Sequence, residues 1–412
     1  MEPTGSFSKS HFRCFDDLTG NAISVVTFDV SDDTYIQQAN RKLCVAFLII
    51  LSALVSARQY VGEPITCFCP ATFEKFHVAY TNSYCWIRNN YAVPFDEILP
   101  VSDISREDSE ISYYQWVPLI LVLLAGMFYL PRLFWKGLSS YSGINTKKIL
   151  EMSNEATFMS PTKRTEHLDV IASYIDKWID IREGKSSAHH QIRRMKEKLH
   201  LGGIHSGNYL SFVFVMTCLF YLMNTVSQIF LIDALLGNNF RNLGPDFVRG
   251  MATNKNWEDL KRFPRVAFCD MDIRQLQNVQ RWTIQCSLPI NLFNEKVFVL
   301  MWFLLITMSV VNGIYLVISI TMTFIPRRKN MYVRKFLDCT RFPAEVRNST
   351  KLLDVETKFV DMYLRHDGVL LLWLVSHNTS QVVGSELVEK LWINYCKKPY
   401  VQTFLTISDI EP

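Results

Sequence analysis

Five of the chain's ten cysteines, Cys67, Cys69, Cys85, Cys269 and Cys286, fall in just two segments. Thiols grouped in this way pair as disulfides when their segments face an oxidising space. Other chemistries find little support. His189, His190, His200 and His205 match no established ligand spacing and have basic neighbours, so they read as a solvated helix face and no metal is expected. There is no Walker loop, no Gly-x-Ser-x-Gly and no His-Glu-x-x-His, so neither a catalytic centre nor a cofactor is expected. The net charge of +4 is small for 412 residues, and no nucleic-acid partner is expected.

The elements that must position the cysteines are apolar runs. Uncharged stretches cover Leu43 to Ala57 (continuing past Arg58 to Gly62), Ile111 to Pro131, Tyr209 to Ile232 and Val297 to Pro326. Each reaches or approaches the roughly 20 residues a helix needs to cross about 30 Å of hydrocarbon. Core helices of a soluble protein seldom stay charge-free over the lengths of the last two runs, so a multi-pass membrane protein is expected.

Arg41 and Lys42 precede the first run, Arg132 and Lys136 follow the second, Arg193, Arg194, Lys196 and Lys198 precede the third, and Arg327, Arg328 and Lys329 follow the fourth. All lie on one side, which the positive-inside rule makes cytoplasmic, so both termini are expected inside and both cysteine-bearing loops outside. Residues 1–42 lack the apolar core and cleavage site of a secretory signal, and the first run is expected to act as a retained anchor, with Arg58 snorkelling toward headgroups. The expected organisation is a cytoplasmic segment over 1–42, spans over 43–62, 111–131, 209–232 and 297–326, outer loops over 63–110 and 233–296, a helical inner loop over 132–208, and a helical inner tail over 327–412.

The first outer loop, about Gly62 to Glu110, carries eight acidic and three basic residues and presents a negatively biased surface. In the second, Arg262 to Arg265 leads into a β-rich run ending at Cys269, and Thr283 to Cys286 reads the same way, so a small sheet is expected there. Inside, Leu168, Ile171, Ile175, Trp178 and Ile179 recur at helical spacing after a start signal at Ser160 and Pro161. In the tail Leu352, Val355, Phe359 and Met362 repeat the pattern. Gly368 is expected to stop it, and Ser385 to cap a last helix that ends before Pro399. Val369 to Val375 is too short to span and is expected in the inner core. The only sequons, at Asn348 and Asn378, lie on the inner side, leaving the outer loops free of bulky glycans that would obstruct docking.

The second run opens with Tyr113, Tyr114, Gln115, Trp116, Val117 and Pro118 and closes with Tyr129, Pro131 and Trp135, aromatics suited to both interfaces. Proline inside a spanning helix frees a backbone carbonyl and bends the helix, and its neighbours must accommodate both. As a pattern, the Tyr-Tyr-Gln-Trp-Val-Pro string resembles the signature of the innexins, the gap-junction proteins of invertebrates. The stretch from Asn278 through Arg281, Cys286, Pro289 and Asn291 to Lys296 resembles the innexin entry to the fourth helix, and Pro64, Cys67, Pro70, Tyr84, Cys85 and Trp86 resemble its first loop. The likeness extends over about residues 30 to 330.

Four outer cysteines allow three connectivities, and spacing does not choose among them. The resemblance implies bridges between the loops, Cys67 to Cys286 and Cys85 to Cys269. Cys69 departs from the family pattern, and its partner stays open. The resemblance also implies an all-α membrane fold of four helices, a ring of identical subunits, an octamer, docking onto a ring in the adjacent cell, and passive exchange of ions and small metabolites. Other innexins are possible ring partners, and the site of action is the plasma membrane. It further implies a pore funnel lined by residues before the first helix, about His11 to Phe28, which makes Asp16 and Asp17 candidates for a cation-favouring charge ring. An unpaired hemichannel and a non-conducting receptor or adhesion protein are the alternatives.

Overall fold

The computed structural model describes residues 31–88, 90–94, 99–100, 106, 110–183, 207–236, 240–253, 262–337 and 350–402. Asp16, Asp17, the four histidines named above and the sequon at Asn348 lie outside the described residues. Four helices among them are long and apolar enough to cross a membrane: Tyr35–Val61, Val117–Ser142, Tyr209–Leu236 and Pro289–Phe324.

All four differ from the expected spans, the third only by running on to Leu236, and the other three for local reasons. The first helix starts at Tyr35 because Thr34 and Gln37 form a capping box, the Gln37 side chain accepting from the Thr34 N–H at 3.0 Å. It then passes through a π-helical turn at Ala39–Cys44. The fourth starts at Pro289, eight residues before the charge-free run, because the buried Glu295 inside its first turns is paired by Lys296 at 2.7 Å and Arg265 at 3.3 Å. The second opens as a 3-10 turn at Tyr113–Gln115, becomes helical at Val117, and continues beyond Pro131 to Ser142.

Pro118 does not kink this helix. It occupies the first helical turn, where a missing N–H costs nothing, and the interruption falls at Phe128 and Tyr129, just ahead of Pro131. Pro118 still leaves the Tyr114 carbonyl without its usual partner, and the first helix supplies one: Gln59 Nε2 donates to it at 2.8 Å, while the Ser52 hydroxyl donates to the Pro118 carbonyl at 2.9 Å. Gln59 and Ser52 lie with Leu48, Leu51 and Val55 on the buried stripe of the first helix.

The chain divides into two compact units: Met1–Lys42 with Leu130–Leu222 and Val311–Pro412, and Leu43–Tyr129 with Met223–Val310. In the first unit, Ile149 and Leu150 of the helix Thr146–Thr157, and Leu168, Ile171, Ile175 and Ile179 of Pro161–Glu183, form a continuous core with Val375, Leu387 and Leu391 of the tail. Val369 to Val375 is part of that core, with Leu371, Leu374 and Val375 fully buried. Gly368 does not end a helix: it lies within Arg365–Asn378, and the change of direction falls at Arg365, whose φ is 55°. The last long helix, Gln381–Cys396, is capped by Ser380, which accepts from Val382 N–H at 3.2 Å, whereas Ser385 sits a turn inside and donates back to the Val382 carbonyl. Asn378 is buried and spends its amide on the Leu374 carbonyl, which leaves it unfit as a glycan acceptor.

Among the described residues the second unit carries an antiparallel sheet of five strands. In chain order these are β1 (Thr66–Cys67), β2 (Asn90–Tyr91), β3 (Glu110–Ile111), β4 (Val266–Gln275) and β5 (Asn278–Ser287). The spatial order is β1-β5-β4-β2-β3, so both loops contribute, not the second alone. Ala267, Cys269 and Met271 of β4 alternate inward, as do Ile284 and Cys286 of β5, giving a half-buried sheet over the core that holds Phe263, Phe298 and Tyr114.

Candidate functional site

The sheet brings the four predicted cysteines together. Cys67 and Cys286 stand directly opposite one another on β1 and β5 and are joined, with their Cα atoms 3.9 Å apart. Cys85 lies on the buried face of the helix Lys75–Ile87 and is joined to Cys269 in mid-β4, with Cα atoms 5.8 Å apart. The sulfurs of Cys67, Cys85 and Cys286 lie within 4.8 Å of one another, a spacing a metal could bridge, but each is already bonded to another sulfur. Cys69 is half-buried and forms no disulfide. Each bridge closes a loop of 219 or 184 residues, and restricting such loops in the unfolded chain is worth about 5 kcal/mol by the chain-entropy relation.

The aromatic signature knits the two loops to the second helix. Tyr113 Oη donates to the Arg262 carbonyl at 2.8 Å, Gln115 Nε2 donates to the Trp86 carbonyl, and Asn90 Nδ2 donates to Tyr114 Oη at 3.0 Å. Trp86 packs on the Tyr114 ring at 5.2 Å. Trp116, by contrast, is 57% exposed, as befits an interfacial anchor.

Asp270 organises the charge on the sheet. It accepts from Arg106 at 2.7 Å, Arg281 at 3.0 Å, Thr283 at 2.7 Å and Tyr91 at 3.3 Å. Burial works to raise its carboxyl, but the bonds from Thr283, Arg106 and Arg281 together outweigh it and hold the group below its ordinary value of 3.8.

In the first unit the notable constellation is a buried charge clamp ahead of the first helix. Arg132 forks onto two adjacent carboxylates, reaching Asp32 at 2.6 Å and Asp33 at 2.5 Å, while Arg41 reaches Asp33 at 3.1 Å and Trp135 Nε1 donates to Asp32 at 2.7 Å. Asp32 and Asp33 are only 5% and 1% exposed, and these partners offset part of the cost of burying them. Burial nevertheless pushes the Asp33 carboxyl above its ordinary value, against the pull of Arg132. Beside the clamp, Asn40 and Asn312 exchange two amide bonds at 2.8 and 3.1 Å, locking the first helix to the fourth. Asp32, Asp33 and Asn312 did not stand out in the sequence, and Arg41, Arg132 and Trp135 read only as flanking charges and an interfacial aromatic, although Thr34-x-x-Gln37 is a readable capping signal that places the adjacent Asp32 and Asp33 at a helix entrance.

The chain matches the family model described as Innexin over residues 33–395. It is similar to Innexin unc-9 of Caenorhabditis elegans, with 33% identity covering 91% of this chain and 95% of that protein. It is similar also to Innexin-19 of Caenorhabditis briggsae, at 31% identity over 88% and 86%, and to Innexin eat-5 of Caenorhabditis elegans, at 29% over 89% and 88%.

Proposed function

The chain belongs to the innexin family, which forms gap-junction channels in the membrane, and from that premise we propose that eight copies form a ring that docks onto a ring in the adjacent cell. The carrying observation is the pair of disulfides that turns two loops, far apart in sequence, into one five-stranded sheet. A surface stiffened in this way loses little conformational freedom when pressed against a partner, which lowers the cost of association. Both termini and the helical first unit face the cytoplasm, in keeping with the basic residues that flank the spans on that side. The channel passes ions and small metabolites down their gradients and has no catalytic step, the family being channel-forming rather than enzymatic.

The charge clamp fixes the segment that enters the first helix. The position of Asp16 and Asp17 upstream of it supports a role for them as a charge ring at the pore entrance. Dual whole-cell recording from paired cells expressing the chain tests the reading. Junctional current between the cells is the expected result. Surface protein with neither junctional nor single-cell current would contradict it.

A further inference from the structure

β4 and β5 pair over their full length, from Val266 and Ser287 at the base to Gln275 and Asn278 at the turn. β1 and β2 flank only the base, at Cys67 and Tyr91. From the Asp270–Thr283 pair outward the hairpin has no further strand partner among the described residues, a ribbon of six residue pairs and about 20 Å. Its lower part is backed by the first loop and the core: Met271 is buried, Ile273 and Trp282 pack against the core, Phe73 meets Trp282 at 5.4 Å and Arg88 reaches Asp272 at 3.8 Å, so only the turn end stands clear.

Its tip is unusual in two independent ways. Leu276 is the first residue of the two-residue turn and has φ of 56°, a left-handed conformation that this turn position ordinarily reserves for glycine. Leu276 is also 98% exposed, and Val279 beside it is 56% exposed. A bulky apolar side chain held in strained backbone and fully solvated is unfavourable on both counts in the isolated chain. Between Arg274 and Arg281 the run Gln275, Leu276, Gln277, Asn278, Val279, Gln280 has no charge, and four of its six residues are amides. An amide both donates and accepts, so an amide surface is complementary to a copy of itself, whereas a charged tip would repel its copy.

We propose that this tip, Leu276 to Gln280, is the contact through which the chain docks with its own kind, Leu276 being buried against the hairpin of a second copy in the apposed membrane. The inference rests on the docking reading above and adds to it the contact and the preference for a like partner. The amides beyond the Arg274–Val279 pair are the selective feature.

Paired-cell recording with variants at two positions provides the test. Leu276→Gly suits the turn backbone and removes only the side chain. It should lower junctional conductance at least tenfold while single-cell hemichannel current and surface protein stay at the wild-type level. Gln277→Lys paired with itself and Gln277→Glu paired with itself should both lose coupling, and pairing the Lys variant with the Glu variant should restore it. Wild-type coupling in Leu276→Gly pairs, or in Lys–Lys pairs, would overturn the proposal. So would loss of hemichannel current in Leu276→Gly, which would place the tip between neighbours of one ring. If wild-type pairs themselves show hemichannel current but no junctional current, the docking reading fails, and this inference fails with it.

Discussion

The two units solve the problem of holding buried polar groups in opposite ways. In the second unit the structure is tied covalently, by two disulfides at the heart of a sheet, and its central carboxylate, Asp270, has four donors that keep it ionised. In the first unit no disulfide joins the described residues. There the carboxylates Asp32 and Asp33 depend on Arg132 and Arg41, and burial pushes Asp33 toward its protonated form. The contrast is a division of labour: the sheet proposed to dock is locked covalently, and the segment that leads into the first helix is held by charges whose balance shifts when Asp33 takes up a proton.

The largest effect that could break this comparison is loss of the covalent ties. Replacing Cys85 and Cys269 with serine removes a bridge worth about 4 kcal/mol in the chain-entropy relation while Cys67–Cys286 remains. Junctional current should vanish in paired-cell recordings. In the first unit, Arg132→Met leaves two buried carboxylates with Arg41 on Asp33 and the neutral donor Trp135 on Asp32, at a cost of about 3–5 kcal/mol. A large fall in the melting temperature of detergent-solubilised protein is the expected readout, and an unchanged melting temperature would mean that the clamp carries no weight.

A smaller effect belongs to Gln59, which serves the carbonyl that Pro118 leaves without a partner. Gln59→Leu should cost about 1–3 kcal/mol because that carbonyl becomes unsatisfied. Gln59→Glu, which when protonated can still donate, should recover part of the stability at low pH.

The smallest effect separates the units by pH. Asp33 has a folded value raised above 3.8, so its contribution to stability is fully present below 3.8 and is lost as pH rises through the raised value. Asp270 has a lowered folded value, so its contribution is present above 3.8 and is lost only as pH falls through a value still lower. Acidification therefore protonates Asp33 first and deprives Arg132 of one counter-charge while the sheet is unaffected. Conductance measured as the cytoplasmic side is acidified should respond in the wild type and respond less in Asp33→Asn. Asp270→Asn should leave that response intact.

What the sequence disclosed and what it concealed follow one physical rule. Features local in the chain were readable. The four spans follow from uncharged length, and Leu168 to Ile179 from helical period. The cysteine bridges were implied only by resemblance to a family, since spacing left three pairings open. Features that depend on distant partners were not readable. Glu295 looked like the end of a span because its neutralising Arg265 lies 30 residues away, and Arg132 looked like a flanking charge because Asp32 lies 100 residues away. β1, β2 and β3 are two residues each, too short to show any alternation, so the first loop gave no hint that it builds most of the strands of the sheet. Gly368 and Ser385 misled for a related reason: both have the right local chemistry for a helix boundary, but burial of Val369 to Val375 carries the helix through the first, and Ser380 reaches the cap position before the second.

The most direct test of the account is simultaneous recording of single-cell and junctional current in cells expressing the Cys85→Ser, Cys269→Ser double variant, with surface protein measured alongside. Variant pairs should show no junctional current where wild-type pairs couple. Junctional current at the wild-type level in the variant would contradict it, because the sheet would then meet its partner without the bond that locks it.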